Sequence, residues 1–475
     1  MFELEKNLFY NSNTMSEGFL WIGLDKVDVT PSYPVRLGGY FNERISTGVL
    51  DRLYLRLAAL SDGESRFLFL QLDNCAVPSK DAEDIRREIA RRSEYQKHEI
   101  MLFTSHIHTG PDLVGFFGLP REEKYLGELK KTVVETAVRL RPHQPVSISM
   151  ARAIYEGLAF NRRWVMKDGR VVTNPPKKSP QRLRPEGAVD REVNTIVFKD
   201  GQGRFQAVFV NISNHTDAIG GNMISADWPG VMERRLNEWL GTNIPVFLFL
   251  APQGNINHLE FEDERLQSDY QEAERLGRAY AEIVAKSLGD LEPVSLAENP
   301  GNQGNLEARE ILLRIPPREI PAEEMENARR ILSQSEPEQK EKGSSLTAED
   351  LARGDPVVER LFARDLIRFA ETRPETYEVP LQAARLGKVA FAAIPGEPFV
   401  EIGLELKASP QFKLVFPVAL ANGYFGYIPL WENFGRGGYE TRTGSASCLS
   451  KDAADRILAA FRSLLAFSTS GQLSL

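Results

Sequence analysis

The 475-residue chain carries 58 basic and 66 acidic side chains, a net charge of −8, and is 42% hydrophobic and 26% charged, the proportions of an ordinary soluble globular protein without the basic blocks of a nucleic-acid binder. Its only cysteines, Cys75 and Cys448, exclude a disulfide framework and a cysteine-rich zinc site. No run approaches the roughly 18 apolar residues of a membrane helix, and the charged stretch Met1 to Asn7 lacks the apolar centre of a signal peptide, so a cytoplasmic protein is expected.

Residues 1–18 read as a flexible, polar tail. A strand follows from Leu20 to Thr30, then a turn at Gly38-Gly39. Residues 54–60 and 66–73, joined through Asp62-Gly63, have the pattern of a β-hairpin. A charged helix is predicted over 79–93 and an apolar strand from Ile100, which together suggest a βαβ unit with a parallel pair. A second amphipathic helix spans 122–140 and stops at Pro142 and Pro145. Strands are predicted over 146–153 and 195–198. The basic, proline-rich connection 167–191 between them is long enough to be functional or mobile, and to overhang a site.

Further strands are expected over 204–211 and 245–250, and helical segments over 269–288. Residues 317–375 are rich in Glu, Lys, Arg and Ser, with helical spacing over 322–333 and 347–372. They read as a solvated helical hairpin inserted into the domain, with a lid as the alternative. Strands at 388–394 and 413–418 and a closing helix over 451–467 complete a single domain, 19–467, before a short tail, 468–475. The expected fold is α/β: mixed, largely parallel sheets flanked by helices, with a metal site at the carboxyl ends of the strands.

Chemistry concentrates where apolar strands give out. The run Ile100 to Phe103 ends in Thr104-Ser105-His106-Ile107-His108-Thr109-Gly110-Pro111. If the strand persists to residue 108, both imidazoles share a face. His215 follows the strand 204–211, Gln253-Gly254-Asn255 follows 245–250, and Glu397 follows 388–394. In open α/β sheets ligands gather outside the carboxyl ends of the strands. Two or three histidines and a glutamate there suit a mononuclear zinc site, and the same donors also accept iron or manganese. Singly, His215 also fits a hydrogen-bonded core histidine, and Glu397 the acidic start of a helix.

The segment Thr104 to Asp112 resembles the Thr-His-Thr-His-Ser-Gly-Pro signature of the neutral (non-lysosomal, alkaline/neutral) ceramidase family. Other landmarks occur in that family's order: Trp21 to Thr30, Gly38-Gly39-Tyr40, Asn161-Arg162, His215, Pro395-Gly396-Glu397, Asn422-Gly423-Tyr424-Phe425-Gly426-Tyr427 and Tyr439-Glu440. The resemblance spans roughly residues 19–465. It implies that His106, His215, Glu397 and Tyr427 bind Zn2+, and that His108, Arg162 and Tyr439 face the attacking water and the scissile carbonyl. Arg163 competes with Arg162 for that place. For Tyr424 a packing role is expected.

The implied enzyme is a zinc-dependent amidohydrolase. Zinc lowers the pKa of a bound water toward about 7; His108, unable to reach the metal if His106 does, would carry the proton; zinc, Tyr439 or Arg162 would stabilise the oxyanion. The substrate is expected to be an N-acyl amide, ceramide-like or smaller and soluble. The alternatives are an esterase or lactonase, or a relative that binds without turnover. Pro252-Gln253-Gly254-Asn255 lacks the serine of the family's corresponding stretch, which favours attack by water. Pro429-Leu430-Trp431-Glu432 replaces that family's threonines and Glu-Glu-Tyr, so the lipid-binding surroundings differ.

Overall fold

The computed structural model describes residues 20–296, 305–334 and 352–467. Both expected tails and the start of the helix expected at 347 lie outside these ranges. Twelve strands build two sheets. They are β1 (Leu20–Asp28), β2 (Tyr54–Ser61), β3 (Arg66–Leu72), β4 (Ile100–Thr104), β5 (Gln144–Ile154), β6 (Glu192–Lys199), β7 (Phe205–Ile212), β8 (Val246–Leu250), β9 (Leu306–Ile315), β10 (Tyr377–Leu386), β11 (Val389–Ala393) and β12 (Leu414–Val418). The larger sheet runs β8-β7-β6-β5-β1-β2-β3-β4, with Glu292–Pro293 added beside β5. The smaller runs β9-β10-β11-β12.

The helices are α1 (Ser79–Arg92), α2 (Glu123–Arg139), α3 (Asp227–Leu240), α4 (Tyr270–Ser287), α5 (Ala322–Ser333), α6 (Pro356–Thr372), α7 (Val400–Lys407) and α8 (Ala453–Leu464). The two sheets pack face to face and carry helices on their outer faces, giving four layers. The inner seam is aromatic. Phe69, Phe249 and Phe391 meet there with ring centroids 4.9 to 5.3 Å apart. Side chains alternate between the faces of a strand, so Phe67 and Phe69 of β3 enter this seam while Leu68 and Leu70 pack under the helices with Ile85 and Leu129. Burial on both faces explains why these strands read as unbroken apolar runs.

The expected α/β class holds, but the sheets are not largely parallel. Only β3–β4, β7–β8 and β11–β12 pair in parallel among these strands; their other ladders are antiparallel. The reason is connectivity. A parallel pair needs a crossover, and only these three pairs are bridged by a single helix: α1, α3 and α7 in turn. Antiparallel β2–β3 instead closes through the turn at Asp62, whose Oδ1 accepts the backbone N–H of Ser65 at 2.7 Å. Helix α3 falls in a stretch that the sequence reading left without a helix, and α7 begins just after Glu397, where a helix start was the alternative reading.

The connection 167–191 is also more ordered than its composition suggests. Val171–Thr173 and Arg182–Pro185 flank Arg163–Met166 in a small three-stranded sheet, and the Arg182 guanidinium lies 4.6 Å from the centre of the Trp164 ring. Within the expected insertion, α5 and α6 share a small apolar cluster around Ala328, Ala363 and Leu366. No helix among the described residues is long and apolar enough to cross a membrane.

Candidate metal centre

Each of the three crossover units delivers part of one buried cluster from the carboxyl end of a parallel strand. The β4 strand stops at Thr104, and His106 adopts a left-handed backbone with φ of 62°. A non-glycine residue pays roughly 1–2 kcal/mol for that conformation. The extended run therefore does not reach residue 108 as the sequence reading required, yet the kink turns both rings to one point: His108 Nε2 lies 3.3 Å from His106 Nε2. Proximity to the centre is thus shared, and adjacency in sequence does not exclude His108.

His215, beyond β7, places its Nε2 3.2 Å from that of His106. Glu397, beyond β11, places Oε2 3.2 Å from His106 Nε2 and 3.4 Å from His215 Nε2. All three residues are buried, none more than 2% exposed. The backbone sets the tautomers: His106 Nδ1 lies 2.9 Å from the carbonyl of Cys75, and His215 Nδ1 2.9 Å from that of Ile256. Each Nδ1 is therefore the donor, and each Nε2 presents a lone pair. Glu397 Oε2 is buried without a hydrogen-bond donor. Three acceptors face one another.

Such a set needs a positive charge in its midst. With protons alone, burial opposes charge on His106, but Glu397 beside it wins and holds that imidazole's pKa well above the usual value. Burial acts against Glu397 too, and His106 and His215 overcome it and keep the carboxylate ionised. Burial, reinforced by the neighbouring Arg162 guanidinium, brings His215 down to about 4. Burial and the two neighbouring imidazoles also keep His108 neutral.

Glu397 is held by two partners. Tyr424 donates its hydroxyl to Oε1 at 2.9 Å, and Glu397 pairs with Tyr427 in a two-residue parallel ladder. Tyr427 and Tyr439 stand ring to ring at 5.7 Å. Burial raises the hydroxyl pKa of both, so both stay protonated. The packing role expected for Tyr424 is incomplete: its hydroxyl orients the carboxylate.

Of the two adjacent arginines, Arg162 reaches the cluster, with Nη1 3.3 Å from His215 Nε2. Its Nε bonds Glu440 Oε1 at 2.9 Å and its Nη2 the Gly254 carbonyl at 2.7 Å. Arg163 turns away to Glu186 and to the other oxygen of Glu440. Glu440, fully buried and also accepting from Thr173 at 2.6 Å, anchors the segment bearing Tyr439. Sequence reading gave Glu440 no role. Gly254 is required by close approach, since a Cβ there would lie 2.4 Å from the carbonyl oxygen of Glu397.

The cluster opens into a cavity of about 790 Å³. Its lining includes Tyr40, His108, Arg162, Asp217, Tyr427 and Tyr439. Asp217 lies with Oδ2 3.6 Å from His108 Nδ1 and accepts the Tyr40 hydroxyl at 2.5 Å. Burial raises its pKa to about 6. Cys75 also borders the cavity, and burial raises its pKa, so it stays a thiol.

Fold and site together describe an α/β protein with a buried His/His/Glu cluster at the end of three crossover units. No protein-family model matches the sequence, and no curated protein matches it by sequence. Solved structures share its fold, among them two ceramidases. One, described as a ceramidase complexed with C2, superposes with a TM-score of 0.68 at 15% identity over 94% of this chain and 75% of that one. The other, the neutral ceramidase from Pseudomonas aeruginosa, gives 0.66 at 16% identity over 94% and 74%. The fold is therefore neutral ceramidase-like.

Proposed function

We propose that the chain is a metal-dependent hydrolase of N-acyl amides, with His106, His215, Glu397 and Tyr427 as ligands of a zinc ion. The observation that carries this reading is the convergence of two Nε2 lone pairs and an undonated Glu397 oxygen 3.2 to 3.4 Å apart. Nitrogen and oxygen ligands about 2.0–2.1 Å from a tetrahedral zinc stand roughly 3.4 Å from one another, so these donors fit the ion. When bound, zinc supplies a Lewis acid and a water acidic enough to ionise near neutral pH.

The remaining chemistry belongs to the side chains around the cluster. His108, kept neutral by burial and by its imidazole neighbours, accepts the proton of the attacking water and returns it to the departing amine. Tyr439, protonated, and Arg162, fixed by Glu440 and the Gly254 carbonyl, donate hydrogen bonds to the oxygen on which charge develops. His108 and Arg162 are buried and Tyr439 is half-buried at the cavity wall, and limited access of water strengthens each interaction.

A panel of N-acyl amides and matched esters, assayed with zinc-loaded protein, tests the reaction class. Amide turnover that falls by about 10²- to 10⁴-fold in His108→Ala is the expected result. Turnover of esters alone would replace amide hydrolysis by ester hydrolysis at the same site.

A further inference from the structure

We propose that helix α6 builds an acyl-group subsite with Phe362 as its specificity-determining residue; this rests on the amide-hydrolase reading. Phe362 meets Phe41 and Phe117 in an aromatic wall of the cavity, with centroid separations of 5.8, 5.6 and 4.7 Å around the triangle. Phe41 in turn touches the Tyr439 ring edge-on at 6.2 Å. The wall thus starts beside a residue assigned to the scissile carbonyl.

Helix α6 is fastened to the segment that follows Tyr439. Glu359 pairs with Arg442 at 2.6 Å, and the Arg442 guanidinium lies 4.4 Å from the centre of the Phe362 ring. Asp365 accepts the backbone N–H of Ser445 at 2.8 Å and its hydroxyl at 2.5 Å. A Cβ on Gly444 would stand 2.4 Å from Asp365 Oδ2. The helical insertion is therefore docked on the site by directional bonds, and its ring is held in place.

The rest of the cavity is mixed, with Leu50, Ile219, Met223 and Leu259 in its lining beside polar groups. Asn257 donates to Asn174 at 2.8 Å, and Asn222, Gln267 and Ser268 also line it. His108, which hands the proton to the amine, packs against Tyr40 at 5.6 Å and beside Asp217. The amine part of the substrate accordingly lies on the side of His108, Tyr40 and Asp217, and the apolar acyl part lies on the wall of Phe41, Phe117 and Phe362.

The test compares N-acyl ethanolamines bearing acetyl, hexanoyl and decanoyl groups. A second series keeps the decanoyl group and lengthens the amine from methylamine to octylamine. In Phe362→Ala the decanoyl-over-acetyl ratio of kcat/KM falls about ten-fold or more, Phe362→Leu retains most of it, and the amine series is unaffected. Binding of the same acyl probes, measured by calorimetry in Glu397→Gln with and without Phe362→Ala, shows the same loss of acyl preference without turnover. An unchanged acyl ratio in both measurements, or a change confined to the amine series, overturns the proposal. Lost decanoyl preference in the binding measurement, with no amide turned over by the wild type, would uphold the subsite and refute the hydrolase reading.

Discussion

The Tyr424 hydroxyl bonds Glu397 Oε1 at 2.9 Å and thereby leaves Oε2 as the oxygen that faces His106 and His215. One carboxylate oxygen is assigned to the scaffold and the other to the cluster. Partners of this kind set ligand orientation, and their loss typically lowers metal affinity about 10- to 100-fold. Tyr424→Phe keeps the ring and removes only the hydroxyl. Competition with a chelator is expected to show a fall of that size, with the melting temperature of the metal-free protein nearly unchanged.

His108 offers a test of the proposed division between proton transfer and metal binding. Its Nε2 is as close to His106 as the Nε2 of His215 is, within about 0.1 Å. If it moves a proton, His108→Ala retains the metal and loses about 10²- to 10⁴-fold in kcat. Loss of the metal in this variant, read by elemental analysis, would make His108 a ligand instead.

The helix of one crossover unit is tied to the larger sheet by buried charges. Glu233 on α3 meets Arg56 on β2 at 2.6 Å and Lys26 on β1 at 2.9 Å, while Arg56 also bonds Asp73 at 2.8 Å. Burial raises the Glu233 pKa, but Arg56 outweighs it and holds the carboxyl below its ordinary value of 4.5. A depressed folded-state pKa contributes stability that is full above the ordinary value and lost as pH falls through the folded one. Glu233→Gln is expected to cost about 3 kcal/mol at neutral pH and to flatten the acid limb of stability. Thermal unfolding from neutral pH to about pH 3 measures both.

Gly254 carries a different demand. A methyl group there would collide with the Glu397 carbonyl and approach the Phe399 ring to 3.1 Å. Overpacking of this kind costs about 1–3 kcal/mol, and the shift would fall on the segment bearing Glu397. Gly254→Ala is expected to lower the melting temperature and the metal affinity together. The paired measurements are calorimetry and chelator competition.

Much of this was legible in the sequence, and the omissions have physical causes. Strands buried on both faces, such as Val246 to Leu250, announce themselves as apolar runs, and each of the three that carry cluster residues ends where polarity returns. Parallel pairing was over-read because long antiparallel ladders such as β5 with β6 and β9 with β10 are made by residues distant in sequence, and pairing leaves no local mark. Helix α3 opens on Asp227-Trp228-Pro229, with Asp227 at φ of 54°, a start that ordinary capping patterns do not describe.

At the site, His106, His215 and Glu397 stood out because each follows an apolar strand. Tyr424 and Glu440 did not. Their roles arise from hydrogen bonds to Glu397 and to the Arg162–Arg163 pair, which depend on three-dimensional placement. The loop tyrosines are separated by only three positions, and spacing could not say which of them touches the carboxylate. The wall formed by Phe41, Phe117 and Phe362 was likewise invisible, since its members come from three distant segments.

The most direct test of the account is the metal content of the purified protein beside His215→Ala, by elemental mass spectrometry. The account predicts about one zinc per wild-type chain and its loss in the variant, because removal of one ligand from a buried site leaves too few donors. A wild type that stays metal-free after reconstitution with zinc would contradict it, and the His106–His215–Glu397 cluster would then be a proton-bridged structural element of the fold.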